Sequence, residues 1–508
     1  MALKFATVVL TARQARLALV FCRGKATTVT SQSDMNEEAK PMSQIPGPKG
    51  LARISSTFQS ARNAAASHKW IQRRHEEFGP IFRESTGVID LVFLSDADAV
   101  EQLLRQDGKY PERVQIDHWL DYRKRHGIPT GLVMADGPHW HRLRRVIDKP
   151  MLKIRAVNSY AVEFNDVVAE FIARMHRVRR SDNSIPDLAE ELFGWSVESI
   201  GRLLFEKKLG CLSDQRDQET QAFIDSVHAV FESTREMIFL PSWAARIVMR
   251  NVWKRHEEAW GTIFRVANDI IGAKLRQIQE KGDDGSEVGF LASFVQENTL
   301  SIEDIYSNVS ELLGAAIDTT SNTTQMTLHE IAKNPQVQGR ILEEVNRVVP
   351  PDQQPTAEHL KDMHYLKAVI KETLRMYPTA PVVLRILQQE ATILGYTIPK
   401  GVSLAVHLYP LGRNPKYYDD PDEFRPERWL RDEGNKKIHA FAWLPFGFGP
   451  RMCVGRRVAE LEMQLLISQL VRKFHIEPVS HKPMRMKTNL LLMPVDPVEI
   501  RLVDRVKT

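Results

Sequence analysis

Phe446-Gly447-Phe448-Gly449-Pro450-Arg451-Met452-Cys453-Val454-Gly455 sets one cysteine in a glycine-rich turn, just behind an arginine and at the start of an apolar-periodic helix. A free cysteine is usually a small buried hydrophobe. The neighbours of this one suit a different task, the ligation of heme iron through a thiolate. Glycines at 447, 449 and 455 admit positive φ and let the backbone approach a flat ring closely. Amides at a helix N-terminus can point at the sulfur and hold it ionised. Arg451 offers a planar, permanently charged fork to an anionic heme propionate. Phe446 can lie beside the sulfur and keep water away.

The pattern F-x-x-G-x-R-x-C-x-G fixes five residue types at set spacing, and it resembles the heme-binding signature of the cytochrome P-450 monooxygenases. The resemblance extends over nearly the whole chain from about residue 45. It implies a mainly α-helical fold with a small β-rich part near the N-terminal side (α+β), built around a long central helix. It also implies heme b, with Cys453 as its axial thiolate and metal ligand.

Composition fits that expectation. The chain has 508 residues, 43% of them hydrophobic, and a net charge of 69 − 64 = +5. So modest a charge, without a dense basic stripe, argues against nucleic-acid binding. Three cysteines (Cys22, Cys211, Cys453) exclude a disulfide scaffold and fit a reducing compartment. No zinc-type CxxC or HExxH spacing occurs. The first 33 residues hold Lys4, Arg13, Arg16, Arg23 and Lys25 but no Asp or Glu. That is the composition of a mitochondrial transit peptide, placed at 1–35, a disordered tail being the alternative. No apolar run reaches the ~20 residues of a membrane-spanning helix. The heme-thiolate domain is placed at 45–508, after the stiff Ile45-Pro46-Gly47-Pro48-Lys49-Gly50 connector.

Local patterns place the elements. Ile81 to Glu84 and Val88 to Leu94 flank Thr86-Gly87 as a hairpin. Ser95 is read as the cap of a short helix carrying Val100, Leu103 and Leu104. Ser301 and Asp304 form a capping box, apolar residues recur at helical spacing, and Asn334-Pro335 stops the run. A helix from 301 to 333 would span ~50 Å and cross the whole body.

Within that helix, Ala315-Ala316-Ile317-Asp318-Thr319-Thr320 resembles the family's A/G-G-x-D/E-T motif, which assigns Asp318 and Thr319 to a proton relay. The alternative is a polar cluster whose hydroxyls bond back to carbonyls four residues earlier. Ala316 stands where the family usually has glycine, which bears on any local distortion of the helix. Glu372 and Arg375 form an E-x-x-R pair, weak if exposed. With Arg428, in a stretch resembling the family's second arginine motif, they would make a buried structural triad. Trp140 and Arg144 reproduce W-x-x-x-R on one helical face. With Arg385 and Arg451 they are the expected propionate partners.

Lys367 and Lys371, with Arg456 and Arg457, are basic positions at which the family's mitochondrial branch meets an acidic iron–sulfur ferredoxin. That donor would be adrenodoxin-like and supplied by an NADPH-dependent reductase. Such a charge cluster speeds encounter. The stretch Gly455 to Glu462 resembles this branch. Tyr110-Pro111-Glu112-Arg113, Trp119, Tyr122-Arg123 and Gly210-Cys211-Leu212 resemble its sterol and vitamin D hydroxylases. The resemblance implies O2-dependent hydroxylation of a sterol, secosteroid or retinoid on the matrix side of the mitochondrial inner membrane. A heme-thiolate isomerase or dehydratase, and a non-catalytic heme or lipid carrier, are the rival classes. Val309, Leu313, Ala316, Val382 and Val383 are expected to line an apolar pocket, with Leu120 and Ile128 closing it. Met237 to Trp253 interleaves apolar and basic residues around Pro241, as a segment dipping peripherally into a membrane would. A core helix pair is the plainer reading.

Overall fold

The computed structural model describes residues 39–85, 88–281, 289–297, 299–431 and 436–505. The expected transit peptide, with Cys22, therefore lies outside the described residues. Lys40–Thr508 forms one unit.

Helices dominate. Those that build the site are α1 (Asp117–His126), α2 (Gly137–Leu152), α3 (Leu188–Phe205), α4 (Gln218–Met237), α5 (Arg250–Lys281), α6 (Ile302–Lys333), α7 (His364–Met376) and α8 (Arg456–Lys473). The strands relevant here are β1 (Ile81–Ser85), β2 (Asp90–Leu94), β3 (Val382–Ile386) and β4 (Ser403–His407). The expected mainly helical fold with a small β part is the one observed.

Helix α6 is the central element, packed against α3, α5, α7 and α8. Ser301 caps it by accepting from the Asp304 amide at 3.1 Å, and Asn334 terminates it. Only half of the capping box forms, because the Asp304 carboxylate turns instead to His139 Nε2 at 3.0 Å and Arg142 at 3.3 Å. Many of its buried residues are polar, a costly choice unless each finds a partner. Five of its hydroxyls find one locally. Ser310, Ser321, Thr323, Thr324 and Thr327 each donate to the carbonyl four residues back, at 2.6 to 2.8 Å. The helix runs unbroken as α-helix through Ala316.

The sheet joins distant parts of the chain. β1 and β2 pair antiparallel from Ile81↔Leu94 to Ser85↔Asp90, as the hairpin pattern predicts. β2 then pairs parallel with β4, and β4 antiparallel with β3, placing Arg385 opposite Leu404. The helix after β2 is capped by Asp96 rather than Ser95: its Oδ1 accepts from the amides of Asp98 and Ala99. A carboxylate one residue later reaches those donors better than the Ser95 hydroxyl.

The segment after α4 divides its apolar residues between two faces. Met237, Ala245 and Trp253 pack inward, whereas Trp243 is 48%, Ile247 71% and Val248 60% exposed. The inward face is the expected core packing, and the outward face leaves apolar side chains uncovered. No described helix is long and apolar enough to cross a membrane.

Candidate active site

The loop before α8 closes on itself. The Cys453 amide donates to the Phe446 carbonyl at 2.8 Å, and the Met452 amide to Gly449 at 3.0 Å. Gly447 (φ 69°) and Gly449 (φ 70°) occupy the left-handed region that only glycine enters cheaply. Gly455 does not: its φ is −82°. A β-carbon there would stand 3.9 Å from Cys453 Sγ, in ordinary van der Waals contact.

The Gly455 and Arg456 amides, at the start of α8, favour the ionised form of the Cys453 sulfur. Burial nevertheless pushes the thiol pKa up, and these amides with Arg144 only partly oppose it. The amides therefore act in the expected direction, against a larger desolvation. A bound metal ion supplies the missing charge and deprotonates a thiol outright.

Cys453 is surface-accessible, yet surrounding protein desolvates it. The two facts agree when the surface it shows faces an enclosed space. The middle of α6 repeats the pattern. Ala315 is exposed and Thr319 part-exposed within a helix buried on either side. Val382 and Val383 are also partly accessible, as is Ala316. Val309 and Leu313, expected to line the same pocket, are 0% and 1% exposed and sit in the core. Helical phase explains it: Leu313 lies two residues, about 200°, from Ala315. Ile128 lines a separate cavity of about 630 Å³ against Phe264, Arg276 and Tyr306, near the N-terminal end of α6.

The arginines predicted as propionate partners converge on this loop. Arg144 donates to the Met452 carbonyl at 2.8 Å and pairs with Asp148 at 2.5 Å. Arg385 donates to the Phe448 carbonyl at 3.1 Å and to Asp107 at 2.9 Å. Arg451 donates to the carbonyls of Pro111 and Ala135, each at 2.9 Å, and pairs with Asp136. Its guanidinium stacks 4.0 Å from the centre of the Trp140 ring. Arg113, a residue the site assignment missed, joins them and donates to the Val133 carbonyl at 3.0 Å.

These cations crowd one another. Burial, then repulsion from Arg113 and Arg385, brings Arg451 down to about 9. Burial, then repulsion from Arg385, brings Arg113 to about 10. A buried guanidinium cluster under that strain fits a dianionic group. Heme b, with two propionates and an iron that takes a thiolate, matches both this cluster and the accessible sulfur.

On the other side of the loop the triad forms as expected. Glu372 accepts from Arg375 Nε and Nη2 at 2.9 and 2.8 Å, and from Arg428 Nε at 2.9 Å. It also accepts from the Arg425 amide and the Trp429 indole. Arg375 ties down the carbonyls of Gly412, Pro421 and Glu423.

Thr319 donates to the Ala315 carbonyl at 2.9 Å. Asp318 is 5% exposed and meets His228 Nε2 at 2.8 Å. Lys371 and Arg456 both feel Glu460, and Arg456 bonds it at 3.1 Å. The Lys371 ammonium lies over Trp429 and Trp443 at 5.7 and 6.0 Å, so burial lowers its pKa. Lys367 donates to the Lys361 carbonyl, and Arg457 is exposed.

A chain with this loop, cluster and central helix has many relatives. The rat 1,25-dihydroxyvitamin D(3) 24-hydroxylase, mitochondrial, is 34% identical over 90% of this chain and 88% of its own length. The mouse sterol 26-hydroxylase, mitochondrial, is 36% identical over 84% of this chain and 83% of its own. The Oncorhynchus mykiss cholesterol side-chain cleavage enzyme, mitochondrial, is 33% identical over 92% and 91%. The family model described as Cytochrome P450 matches residues 45–502, and with the geometry above this places the chain in the cytochrome P450 family, as a heme-thiolate monooxygenase acting on lipophilic substrates.

Proposed function

We propose that the protein hydroxylates a sterol, secosteroid or retinoid, with Cys453 as the thiolate that would hold the heme iron and a mitochondrial iron–sulfur ferredoxin as electron donor. The observation that carries the ligand assignment is the position of the sulfur. Cys453 shows accessible surface although protein surrounds it, and it lies at the N-terminal end of α8. The other described cysteine, Cys211, is fully buried. When bound, a thiolate-held heme supplies dioxygen activation and oxygen transfer to a C–H bond.

The chain's own residues do the rest. Arg113, Arg144, Arg385 and Arg451, with Trp140 beneath Arg451, would hold the two propionates. Phe446 packs beside the thiolate loop and excludes water. Asp318 brings a proton into the cavity, and Thr319 Oγ1 holds one at its edge, released when the hydroxyl leaves the Ala315 carbonyl. Ala315, Ala316, Val382 and Val383 offer an apolar wall that orients a lipophilic substrate. Glu372, Arg375 and Arg428 fix the loops around the ligand and take no part in the chemistry.

The sterol and vitamin D relatives support the substrate class. Their mitochondrial names support a mitochondrial location and a transit peptide at 1–35 ahead of the 45–508 domain. Lys367, Lys371, Arg456 and Arg457 form the basic face for an acidic ferredoxin. The exposed Trp243, Ile247 and Val248 face supports peripheral contact with the inner membrane.

The test is spectroscopic and kinetic. Purified holoprotein should give the carbon-monoxide difference band of a thiolate-ligated heme, and Cys453→Ser should lose it; retention of the band refutes the ligand. Titration with sterols, secosteroids and retinoids should identify the class by spectral shift. Product should depend on ferredoxin and reductase, whereas product without any donor would favour an isomerase. Thr319→Ala should raise peroxide released per electron consumed; unchanged coupling removes Thr319 from the relay.

A further inference from the structure

Asp318 is a buried carboxylate within the central helix, and a relay needs it to recover a proton after each delivery. Its side chain is 7% exposed, so water does not reach it freely. Among the described residues, one side chain bonds its carboxylate: His228 on α4, ninety positions away in sequence, with Nε2 2.8 Å from Oδ1. The imidazole is 33% exposed. Asp318 is thus the buried member of this pair and the imidazole the more accessible one.

The surroundings of His228 suit proton carriage. The Phe193 ring from α3 meets the imidazole edge-on, with centroids 4.5 Å apart. The charged groups facing it are Asp318 on α6, Glu190 on α3 and Asp225 on its own helix. Arg216, from the loop before α4, pairs with Glu190 and offsets part of that negative charge. Burial alone would lower the His228 pKa, but the bond to Asp318 and these carboxylates outweigh it and raise it above 6.5.

We propose that His228 carries protons from solvent to Asp318. This rests on the reading of Asp318 as the proton donor of the relay. In the step, the Nε2–H bond of the imidazolium breaks and an Oδ1–H bond forms on Asp318, leaving a neutral imidazole and a neutral carboxyl. The ring then turns its bare Nε2 outward and takes a proton from water. One proton leaves water for each one delivered, and no electrons move.

The experiment uses substrate-saturated holoenzyme with its electron donor, across a pH series. The wild-type product rate should fall, and peroxide release rise, as pH climbs above 6.5 through the raised His228 pKa. His228→Gln should lose that limb and turn over about tenfold more slowly at its acidic end. The His228→Gln/Asp318→Asn double variant should be no slower than the slower single variant. His228→Lys stays charged to higher pH and should move the falling limb upward.

A readout independent of turnover is the thermal midpoint. Because the folded pKa is raised, the pair adds stability below 6.5 and loses it as pH rises through the folded value. The midpoint deficit of His228→Gln should shrink accordingly. Asp318→Asn with wild-type coupling would overturn the relay reading itself. Asp318→Asn uncoupled, with His228→Gln keeping the wild-type profile, would overturn His228 alone. An unmoved limb in His228→Lys would do the same, and a pH-independent midpoint deficit would reject the ion pair.

Discussion

At the scale of the residue, the Cys453 loop distinguishes glycines that the sequence makes look alike. Gly447 needs its left-handed φ of 69°, and a β-carbon there would meet only Met452 Cα at 3.7 Å. Gly447→Ala therefore costs backbone strain without a clash, about 1–2 kcal/mol, read as a lower denaturant midpoint. Gly455→Ala keeps an ordinary φ and makes van der Waals contacts at 3.9 Å with Sγ and Met151 Cε. It should change stability by less than about 0.5 kcal/mol. Equal losses for the two would show that crowding, not φ, governs the loop. The motif made the loop and its ligand legible, because spacing along one short segment is local information. Arg113 was visible as a residue but not as a site member. Its neighbours Arg385 and Arg451 lie hundreds of positions away, and only folding gathers them.

At the scale of the element, helix α6 was readable from its Ser301 cap to its Asn334 stop, since both signals are chemical and local. Its orientation was not. Periodicity marks Val309 and Leu313 as apolar, but it does not tell a face covered by α3 and α5 from one open to a cavity. The Asp318–His228 pair was equally hidden, because a lone histidine on an amphipathic helix carries no mark of its partner. The triad was legible only by combination: E-x-x-R alone resembles any surface pair, and Arg428 made it more. Glu372 is 0% exposed and accepts five hydrogen bonds. Glu372→Gln loses the charge that Arg375 and Arg428 share and turns an acceptor into a donor facing them. Breaking a buried network of this kind costs roughly 3–5 kcal/mol. The variant should unfold at a lower denaturant concentration and release heme faster; a wild-type midpoint would contradict the structural role.

At the scale of the whole molecule, the chemistry is enclosed while its supplies arrive from outside. Electrons must enter near the Cys453 loop, where the proposed ferredoxin contact lies. Charge reversal at Lys371 is a poor probe of that contact, because the ammonium also packs over Trp429 and Trp443, and the Trp443 indole bonds the Lys371 carbonyl at 3.1 Å. Any loss would mix docking with packing. Arg457 is the cleaner choice: it is exposed and follows directly on Arg456, which is already held by Glu460. Arg457→Glu should slow reduction by an acidic ferredoxin at low ionic strength and leave substrate spectral titrations unchanged. The deficit should shrink as salt shortens the Debye length from ~30 Å at 0.01 M to ~8 Å at 0.15 M. Stopped-flow reduction across a salt series measures both arms. A deficit that persists at high salt would mean that Arg457 acts through a short-range contact. No deficit at low salt would remove it from the docking face and leave the basic patch to Lys367, Lys371 and Arg456.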